Sequence, residues 1–258
     1  MNTDVQVAAW ELSPQAWDEV SCASGRAAAR ALAQAVARRL RAAIDARGSA
    51  VLAVSGGRSP MAWFHEISQI ELPWDRVSVT LVDERCVPHD HADSNWAMVQ
   101  KHLLQHHAAS AVAVPLVNVA TSSDVTPQTP DQWLQHAHQQ WQHLPHADVV
   151  VLGMGTDGHT ASLFPGCAEL PHALSWSCEE RLVSMHPLTA AHQRVSMTLR
   201  EMASSGHVML DLGGQAKHDV YVQAKQAADL RWPISFVLNA AREGRLGLTV
   251  WLHDGVME

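Results

Sequence analysis

Long hydrophobic runs are missing from this sequence of 258 residues, and no stretch approaches the roughly 20 apolar residues needed to span a bilayer. A membrane-embedded protein is therefore not expected. The first residues, MNTDVQVAAWELSP, also lack the basic region and apolar core of a secretory signal, so we expect a cytoplasmic protein. With 47% hydrophobic and 17% charged residues, the composition is that of an ordinary globular protein, and we predict one domain over residues 1–258.

Cysteine is scarce, and the four present (Cys22, Cys86, Cys167 and Cys178) include no CxxC pair. This spacing indicates neither a disulfide framework nor a zinc ribbon, so reduced structural thiols are expected. Histidine is abundant, with 17 residues, but no HExxH or other recognised ligand spacing occurs. We therefore expect no bound metal.

Basic residues are too few to balance the acidic ones, since 18 Lys and Arg against 26 Asp and Glu give a net charge of −8. No cluster of Lys or Arg offsets this charge, which argues against binding along a nucleic-acid backbone. An anionic ligand therefore needs a local positive pocket.

Short apolar runs alternate with helical segments along the chain. Strands are predicted at 51–54, 77–82, 149–152, 182–185, 195–199, 208–212 and 248–252, and helices at 23–47, 60–68, 94–106, 131–144 and 215–227. This alternation predicts an α/β fold with a mostly parallel, Rossmann-like sheet and helices on both faces. The Ser-, Thr- and Pro-containing residues 118–130 are predicted to form an exposed loop.

The stretch 147–166, ADVVVLGMGTDGHTASLFPG, follows a buried strand with a glycine turn, which is where α/β proteins bind ligands. It contains GxGxxG, but the nearby Pro165-Gly166 and the acidic Asp157 argue against a dinucleotide site. We instead expect the turn to hold His159 at the start of a helix. There His159 would act as a general base oriented by Asp157, or would simply cap or pack.

The backbone amides around this turn are candidates for binding an anion or a developing oxyanion. Those of Gly155 to Gly158 lie nearest to His159 in the sequence, and Arg85 is the alternative.

A second glycine turn, Ser55-Gly56-Gly57-Arg58-Ser59, precedes a helix predicted to start at Pro60. Its amides, its hydroxyls and the helix N-terminus suit a phosphate group. Because no Gly-Lys-Ser/Thr follows, this is not a Walker A loop, and a monophosphate on a small molecule fits better than a nucleotide triphosphate. A tight turn without a ligand is the alternative.

Charged residues at three other positions are predicted to reach the same sheet edge. Asp83, Glu84 and Arg85 end a predicted strand, and Arg85 is suited to binding a carboxylate or phosphate or to a surface ion pair. Arg194 and Lys217 are candidates to complete a phosphate pocket.

These segments together resemble 6-phosphogluconolactonases of the pentose phosphate pathway, within the glucosamine-6-phosphate deaminase/ribose-5-phosphate isomerase-like group. The motifs are SGGRSP (55–60), VDERCVP (82–88) with DSN (93–95), GMGTDGHTASLFPG (153–166) and RVSMTL from Arg194. The resemblance covers most of the chain. It departs at Cys86, where many members have Trp, and residues 110–145 match no motif of the family.

The resemblance implies hydrolysis of 6-phospho-D-glucono-1,5-lactone to 6-phosphogluconate, with no metal or organic cofactor. His159 would be the base, the SGG turn with Arg194 and Lys217 would hold the 6-phosphate, and Arg85 would line the pocket. Two alternatives remain open: a glucosamine-6-phosphate deaminase, in which Asp83 moves a proton between carbons, and a non-catalytic sugar-phosphate sensor. The oligomeric state is left open.

Overall fold

The computed structural model of the chain describes residues 17–57, 59–117, 129–188 and 190–254. None of the helices in these ranges has the length and apolar character required to cross a membrane. The predicted loop at 118–130 lies outside the described residues, except for its last two positions.

The described residues form ten strands and eight α-helices. The strands are β1 (Asp18–Ser21), β2 (Ala50–Val54), β3 (Val77–Leu81), β4 (Asp83–Arg85), β5 (Val112–Ala113), β6 (Val149–Gly153), β7 (Leu182–Met185), β8 (Arg194–Met197), β9 (Val208–Gly213) and β10 (Leu248–His253). The helices are α1 (Gly25–Arg47), α2 (Met61–Ser68), α3 (Asn95–His102), α4 (Pro130–Trp141), α5 (Leu170–Ala173), α6 (Leu199–Ala203), α7 (Gln215–Ala224) and α8 (Ile234–Arg242).

Seven of the described strands form one sheet in the order β1-β10-β9-β6-β2-β3-β5, and every neighbouring pair is parallel. All five residues of β2 are buried. Since successive side chains of a strand point to opposite faces, the centre of this sheet is covered on both sides. The predicted α/β fold with a mostly parallel, Rossmann-like sheet is therefore confirmed.

The order of the strands places the loops of interest together. Strands β2, β6 and β9 are central neighbours, and because they run parallel, their carboxyl ends meet at one edge of the sheet. The turn after β2 leads into α2, and the turn after β9 leads into α7. The two predicted glycine turns and Lys217 are thereby brought to the same edge.

A second, antiparallel sheet of three strands in the order β4-β8-β7 was not predicted. The segments predicted as strands at 182–185 and 195–199 form β7 and β8, although β8 ends at Met197 and α6 begins at Leu199. The two strands pair with each other, and β8 also pairs with β4. Asp83, Glu84 and Arg85 form β4 rather than the end of the preceding strand, because the chain bends after β3 and pairs Arg85 with Arg194. The small sheet therefore brings these two arginines side by side.

Candidate active site

A cleft of about 230 Å³ lies at the carboxyl edge of the large sheet, between the turns after β2, β6 and β9 and the strand β4. It is lined by most of the residues that the sequence singles out. These are Ser55, Gly56, Gly57, Ser59, Asp83, Arg85, Gly155, His159, Arg194 and Lys217. Asp157 contacts His159 beside the cleft, and Arg58 lies outside the described residues.

The two glycine turns are joined directly to each other. The backbone amide of Gly153 donates a hydrogen bond to Ser55 Oγ at 3.3 Å, and the amide of Ser55 donates to the carbonyl of Val151 at 3.0 Å. Among the acceptors that the structure describes, none receives a hydrogen bond from the amides of Gly56 or Gly57. These two N–H groups are therefore available to an anion at the cleft.

Gly56 is required by the close approach of Asn95. A Cβ atom at position 56 would lie 1.9 Å from Asn95 Oδ1, far inside van der Waals contact. The Asn95 side chain in turn donates to the carbonyl of Asp83 at 3.0 Å and accepts from Arg85 Nη1 at 2.5 Å. The glycine therefore lets one amide side chain connect the turn after β2 to β4.

Lys217, in the first turn of α7, reaches across the cleft edge to the glycine turn after β2. Its ammonium donates to Ser59 Oγ at 3.3 Å. Burial lowers the pKa of Lys217, while the charge of Asp211 acts in the opposite direction. The structure describes no ion pair for this lysine, so a partly desolvated cation lines the same cleft as Gly56 and Gly57. An anion bound here would compensate its charge.

His159 and Asp157 form a hydrogen-bonded pair. The imidazole Nδ1 lies 2.6 Å from Asp157 Oδ1, which also accepts from the amide of His159 at 3.2 Å. Burial raises the pKa of Asp157, but the hydrogen bonds and charge of His159 outweigh it and hold the pKa below its ordinary value. An ionised Asp157 accepts the proton on Nδ1, which leaves the lone pair of His159 on Nε2.

Close packing fixes the orientation of the imidazole. Its ring stacks on Phe164, with centroids 4.2 Å apart and an interplanar angle of 22°. A Cβ atom at Gly155 would lie 2.2 Å from His159 Nδ1, so only glycine leaves room for the ring. Phe164 was not predicted to contribute, although it stands in the LFPG part of the quoted motif.

The expected helix at His159 is wrong, because residues 154–169 form successive turns. Gly158 has a φ of +77°, which is not helical, and its carbonyl accepts from the amide of Ile234 at 3.0 Å. The hydroxyl of Thr160 donates to the carbonyl of Gly153 at 2.9 Å and folds the chain back towards β6. His159 is therefore held by a closed loop rather than by a helix terminus.

This loop also uses the amides that were candidates for binding an oxyanion. The amide of Gly155 donates to the carbonyl of His159 at 2.9 Å, and that of Gly158 donates to the carbonyl of Gly155 at 3.0 Å. Gly158 is absent from the cleft lining and packs against Trp232. The amides of Gly155 and Gly158 are therefore engaged within the loop, so the amides of Thr156 and Asp157 and the side chain of Arg85 remain as the candidates for binding an oxyanion.

Two arginines whose side chains are partly unpaired lie against the cleft. The Nε atoms of Arg85 and Arg194 are buried, and neither donates to a described acceptor. Burial lowers the pKa of Arg194, while nearby Asp83 favours its charge. Arg194 also lies over the Phe164 ring, with Cζ 5.0 Å from its centroid. Both arginines therefore present positive charge to the cleft.

Asp83 lines the cleft, but its carboxylate is already bound. Its Oδ2 accepts from Ser162 Oγ at 2.5 Å and lies 3.9 Å from Arg194 Nη1. The side chain is only 7% exposed. Asp83 is therefore held as the counter-charge of an arginine.

Glu84 is fully buried and organises the start of α3, a role that sequence reasoning missed. Its carboxylate accepts from the amides of Arg85, Asn95 and Trp96 at 2.7, 2.8 and 2.7 Å. Burial raises the pKa of Glu84 to about 7, and these amide hydrogen bonds act against that rise. The spacing of DER (83–85) and DSN (93–95) is the only signal in the sequence for this contact.

The fold and this cleft define a class: α/β proteins in which arginine, lysine and histidine side chains line one cleft at the carboxyl edge of a parallel sheet. A sequence model of the family described as glucosamine-6-phosphate isomerases/6-phosphogluconolactonase matches residues 23–251. The chain belongs to this family, which confirms the resemblance found in the sequence.

Individual relatives agree with this assignment. The chain is 46% identical over 212 residues to a 6-phosphogluconolactonase of Neisseria meningitidis serogroup A, covering 82% of this chain and 90% of that protein. It is 41% identical over 216 residues to a 6-phosphogluconolactonase of Rhizobium meliloti, covering 83% and 90%. The crystal structure of a 6-phosphogluconolactonase from Shewanella baltica superposes with a TM-score of 0.83 at 35% identity, covering 92% and 97%.

Proposed function

We propose that this protein hydrolyses 6-phospho-D-glucono-1,5-lactone to 6-phosphogluconate, as the names of its relatives suggest. The observation that supports this most directly is the position of His159 and Lys217 in one cleft. His159 lies in the loop after β6, and Lys217 lies in the first turn of α7 after the neighbouring strand β9. Hydrolysis of a phosphorylated lactone needs donors for the phosphate at one end of the substrate and a base at the other. The cleft contains candidates for both. We also propose that residues 1–258 act as one cytoplasmic domain that binds no nucleic acid.

The 6-phosphate binds at the glycine turn after β2, residues 55–59, in this proposal. The amides of Gly56 and Gly57, the hydroxyl of Ser59 and the ammonium of Lys217 supply donors and charge, with Arg58 and Arg194 as further candidates. The phosphate takes no part in the reaction. Its binding energy instead places the lactone carbonyl against His159.

In the chemical step, His159 Nε2 removes a proton from water as the water oxygen attacks the lactone carbonyl carbon. The carbonyl electron pair moves to its oxygen, and a tetrahedral oxyanion forms. When this intermediate collapses, the bond between the carbonyl carbon and the ring oxygen breaks, and the imidazolium returns the proton to the ring oxygen. The carboxylic acid product then loses its proton to solvent. Asp157 stabilises the imidazolium and orients Nδ1.

The oxyanion is stabilised by an arginine in this proposal, since the amides of Gly155 and Gly158 are engaged. Arg85 is oriented by Asn95 and by the carbonyl of Asp93, to which its Nη1 donates at 2.5 and 2.8 Å. Its buried Nε has no described partner. A fixed guanidinium in a partly desolvated cleft favours the charge that develops on the carbonyl oxygen.

The proposal is tested by following lactone hydrolysis with freshly generated 6-phosphogluconolactone, after subtracting the spontaneous rate. The unphosphorylated lactone serves as the comparison substrate. We expect rapid, saturable hydrolysis of the phosphorylated lactone and a much lower kcat/KM for the other. Equal rates for both lactones would contradict the phosphate site, and no rate above the spontaneous one would contradict the function.

The two alternatives are distinguished by a second substrate and by a binding measurement. A deaminase would release ammonia from glucosamine 6-phosphate and needs a carboxylate free to move a proton, whereas Asp83 is bound by Ser162 and faces Arg194. A sensor would bind the sugar phosphate without turnover. The engaged state of Asp83 favours the lactonase over the deaminase.

A further inference from the structure

A group of soft and hard metal ligands lies outside the cleft, and the proposed reaction does not use it. The potential ligand atoms are His172 Nε2, Cys178 Sγ and a carboxylate oxygen of Glu180. His172 is on α5, and the other two residues lie in the segment that leads into β7. Their order along the chain, His-x5-Cys-x-Glu, is neither an HExxH motif nor a CxxC pair.

The three ligand atoms form a nearly equilateral triangle. Cys178 Sγ lies 3.5 Å from His172 Nε2 and 3.2 Å from Glu180 Oε2, and the last two atoms are 3.4 Å apart. Zinc binds Cys sulfur at about 2.3 Å and His nitrogen or carboxylate oxygen at about 2.0–2.2 Å. In a tetrahedral site these bond lengths separate the ligand atoms by roughly 3.3–3.6 Å. The side chains therefore need almost no movement to surround one ion.

We propose that His172, Cys178 and Glu180 bind one Zn²⁺ ion, with water as the fourth ligand. The side chains of His172 and Glu180 are 56% and 52% exposed, so solvent reaches the open position. A thiolate and a carboxylate balance the charge of the ion. Sulfur and imidazole ligands select zinc over magnesium or calcium, which prefer oxygen.

The backbone between the ligands is held in place by hydrogen bonds. The amide of Ser175 donates to the carbonyl of His172 at 3.0 Å, and the amide of Cys178 donates to the carbonyl of Ser175 at 3.2 Å. Arg200 Nη1 donates to the carbonyl of Cys178 at 3.4 Å. The ligands are thus preorganised, and a bound ion would connect α5 to the start of β7.

A second group of three potential ligands among the described residues provides an internal comparison. His91, Asp93 and His192 also face one another, but His91 Nδ1 already accepts from the amide of Asp93, at 3.1 Å. It lies 3.8 Å from Asp93 Oδ2. This group contains no sulfur, so spectroscopy separates the two sites.

The test is titration of the reduced, full-length protein with Co²⁺ and with Zn²⁺. A thiolate bound to Co²⁺ gives a charge-transfer band in the near ultraviolet, which a site without sulfur does not give. We expect this band at one equivalent in the wild type and in the control variants Cys167→Ser and His91→Ala. The band should be absent in Cys178→Ser and in His172→Ala. Because the His172 side chain is exposed, its removal is expected to leave the fold intact.

Zn²⁺ at about 100 times its Kd should also raise the Tm of the wild type by about 5 °C, because it binds only the folded state. The shift should disappear in His172→Ala and persist in His91→Ala. A wild-type protein without the band, a band that survives in Cys178→Ser, or a Tm shift lost only in His91→Ala would each overturn the proposal. Lactone hydrolysis is not a readout here, so failure of the zinc site leaves the proposed function unaffected.

Discussion

At the scale of single residues, the proposed base and the proposed phosphate ligand lie on different elements of the cleft. His159 is oriented by Asp157 and by stacking on Phe164, whereas Lys217 contacts Ser59. Substitutions at these two positions should therefore change different kinetic constants.

Removing the imidazole should affect kcat. We expect His159→Ala to lower kcat for the phosphorylated lactone by about 10²–10⁴-fold with little change in KM, because general-base catalysis is lost and the phosphate site is intact. Asp157→Asn should lower kcat less, since Nδ1 loses an acceptor but the base remains. Both constants are obtained from initial rates. An unchanged kcat in His159→Ala would remove the assignment of the base.

Removing the ammonium should affect KM. We expect Lys217→Ala to raise KM for 6-phosphogluconolactone by about 10-fold or more, because a charge-assisted contact with phosphate contributes roughly 1.5–3 kcal/mol. Hydrolysis of the unphosphorylated lactone should not change. Lys217→Arg is the control that retains the charge. If Lys217→Ala reduced kcat/KM equally for the two lactones, the lysine would not be the phosphate ligand.

At the scale of elements, β4 and α3 depend on one buried carboxylate. Glu84 connects the two by accepting amide hydrogen bonds from both, and this arrangement supports Asn95 and Arg85 at the cleft. The stability of this junction should therefore depend on pH.

The sign of that dependence follows from the pKa of Glu84, which burial raises to about 7 from an ordinary 4.5. Because the folded protein binds the proton of Glu84 more tightly than the unfolded chain does, the contribution of this group to the free energy of unfolding is fully present below about pH 4.5. It is lost as the pH rises through about 7, by a free energy of order 3 kcal/mol. Urea unfolding between pH 4.5 and 8 should show this decline in the wild type. The decline should be smaller in Glu84→Gln and unchanged in the exposed control Glu71→Gln, and equal slopes in all three would contradict the prediction.

Much of the element pattern was predictable, because apolar runs at 51–54, 149–152 and 208–212 are long enough to identify buried strands. The partners of a strand are not encoded in its own periodicity, so the antiparallel pairing of β7 and β8 was missed. The expected helix at His159 failed because side chains of Asp157 and Thr160 bind the local backbone and fold it into turns. Asn95 and Glu84 were missed because their roles depend on contacts between separate elements.

At the scale of the whole molecule, the central strands of the large sheet hold the fold together. Val150 on β6 is fully buried between β2 and β9, whereas Val112 on β5 is 47% exposed. The same substitution at the two positions therefore compares the centre of the sheet with a peripheral strand.

We expect Val150→Ala to lower the free energy of unfolding by about 2 kcal/mol or more, through lost burial and a residual cavity. Val112→Ala should change it by less than about 0.5 kcal/mol. Urea denaturation with matched m-values measures both. Equal losses would show that burial in this sheet does not determine its stability.

The hydrogen bond between Ser55 and the amide of Gly153 has a consequence for substrate choice. It fixes the separation of the two turns, and thereby the distance between the proposed phosphate donors and the imidazole of His159. We therefore expect a phosphorylated lactone one carbon shorter to be hydrolysed with a lower kcat/KM than 6-phosphogluconolactone. Selectivity for the length of the substrate would then come from the fixed separation of the two turns. It would not require a residue that contacts the additional carbon.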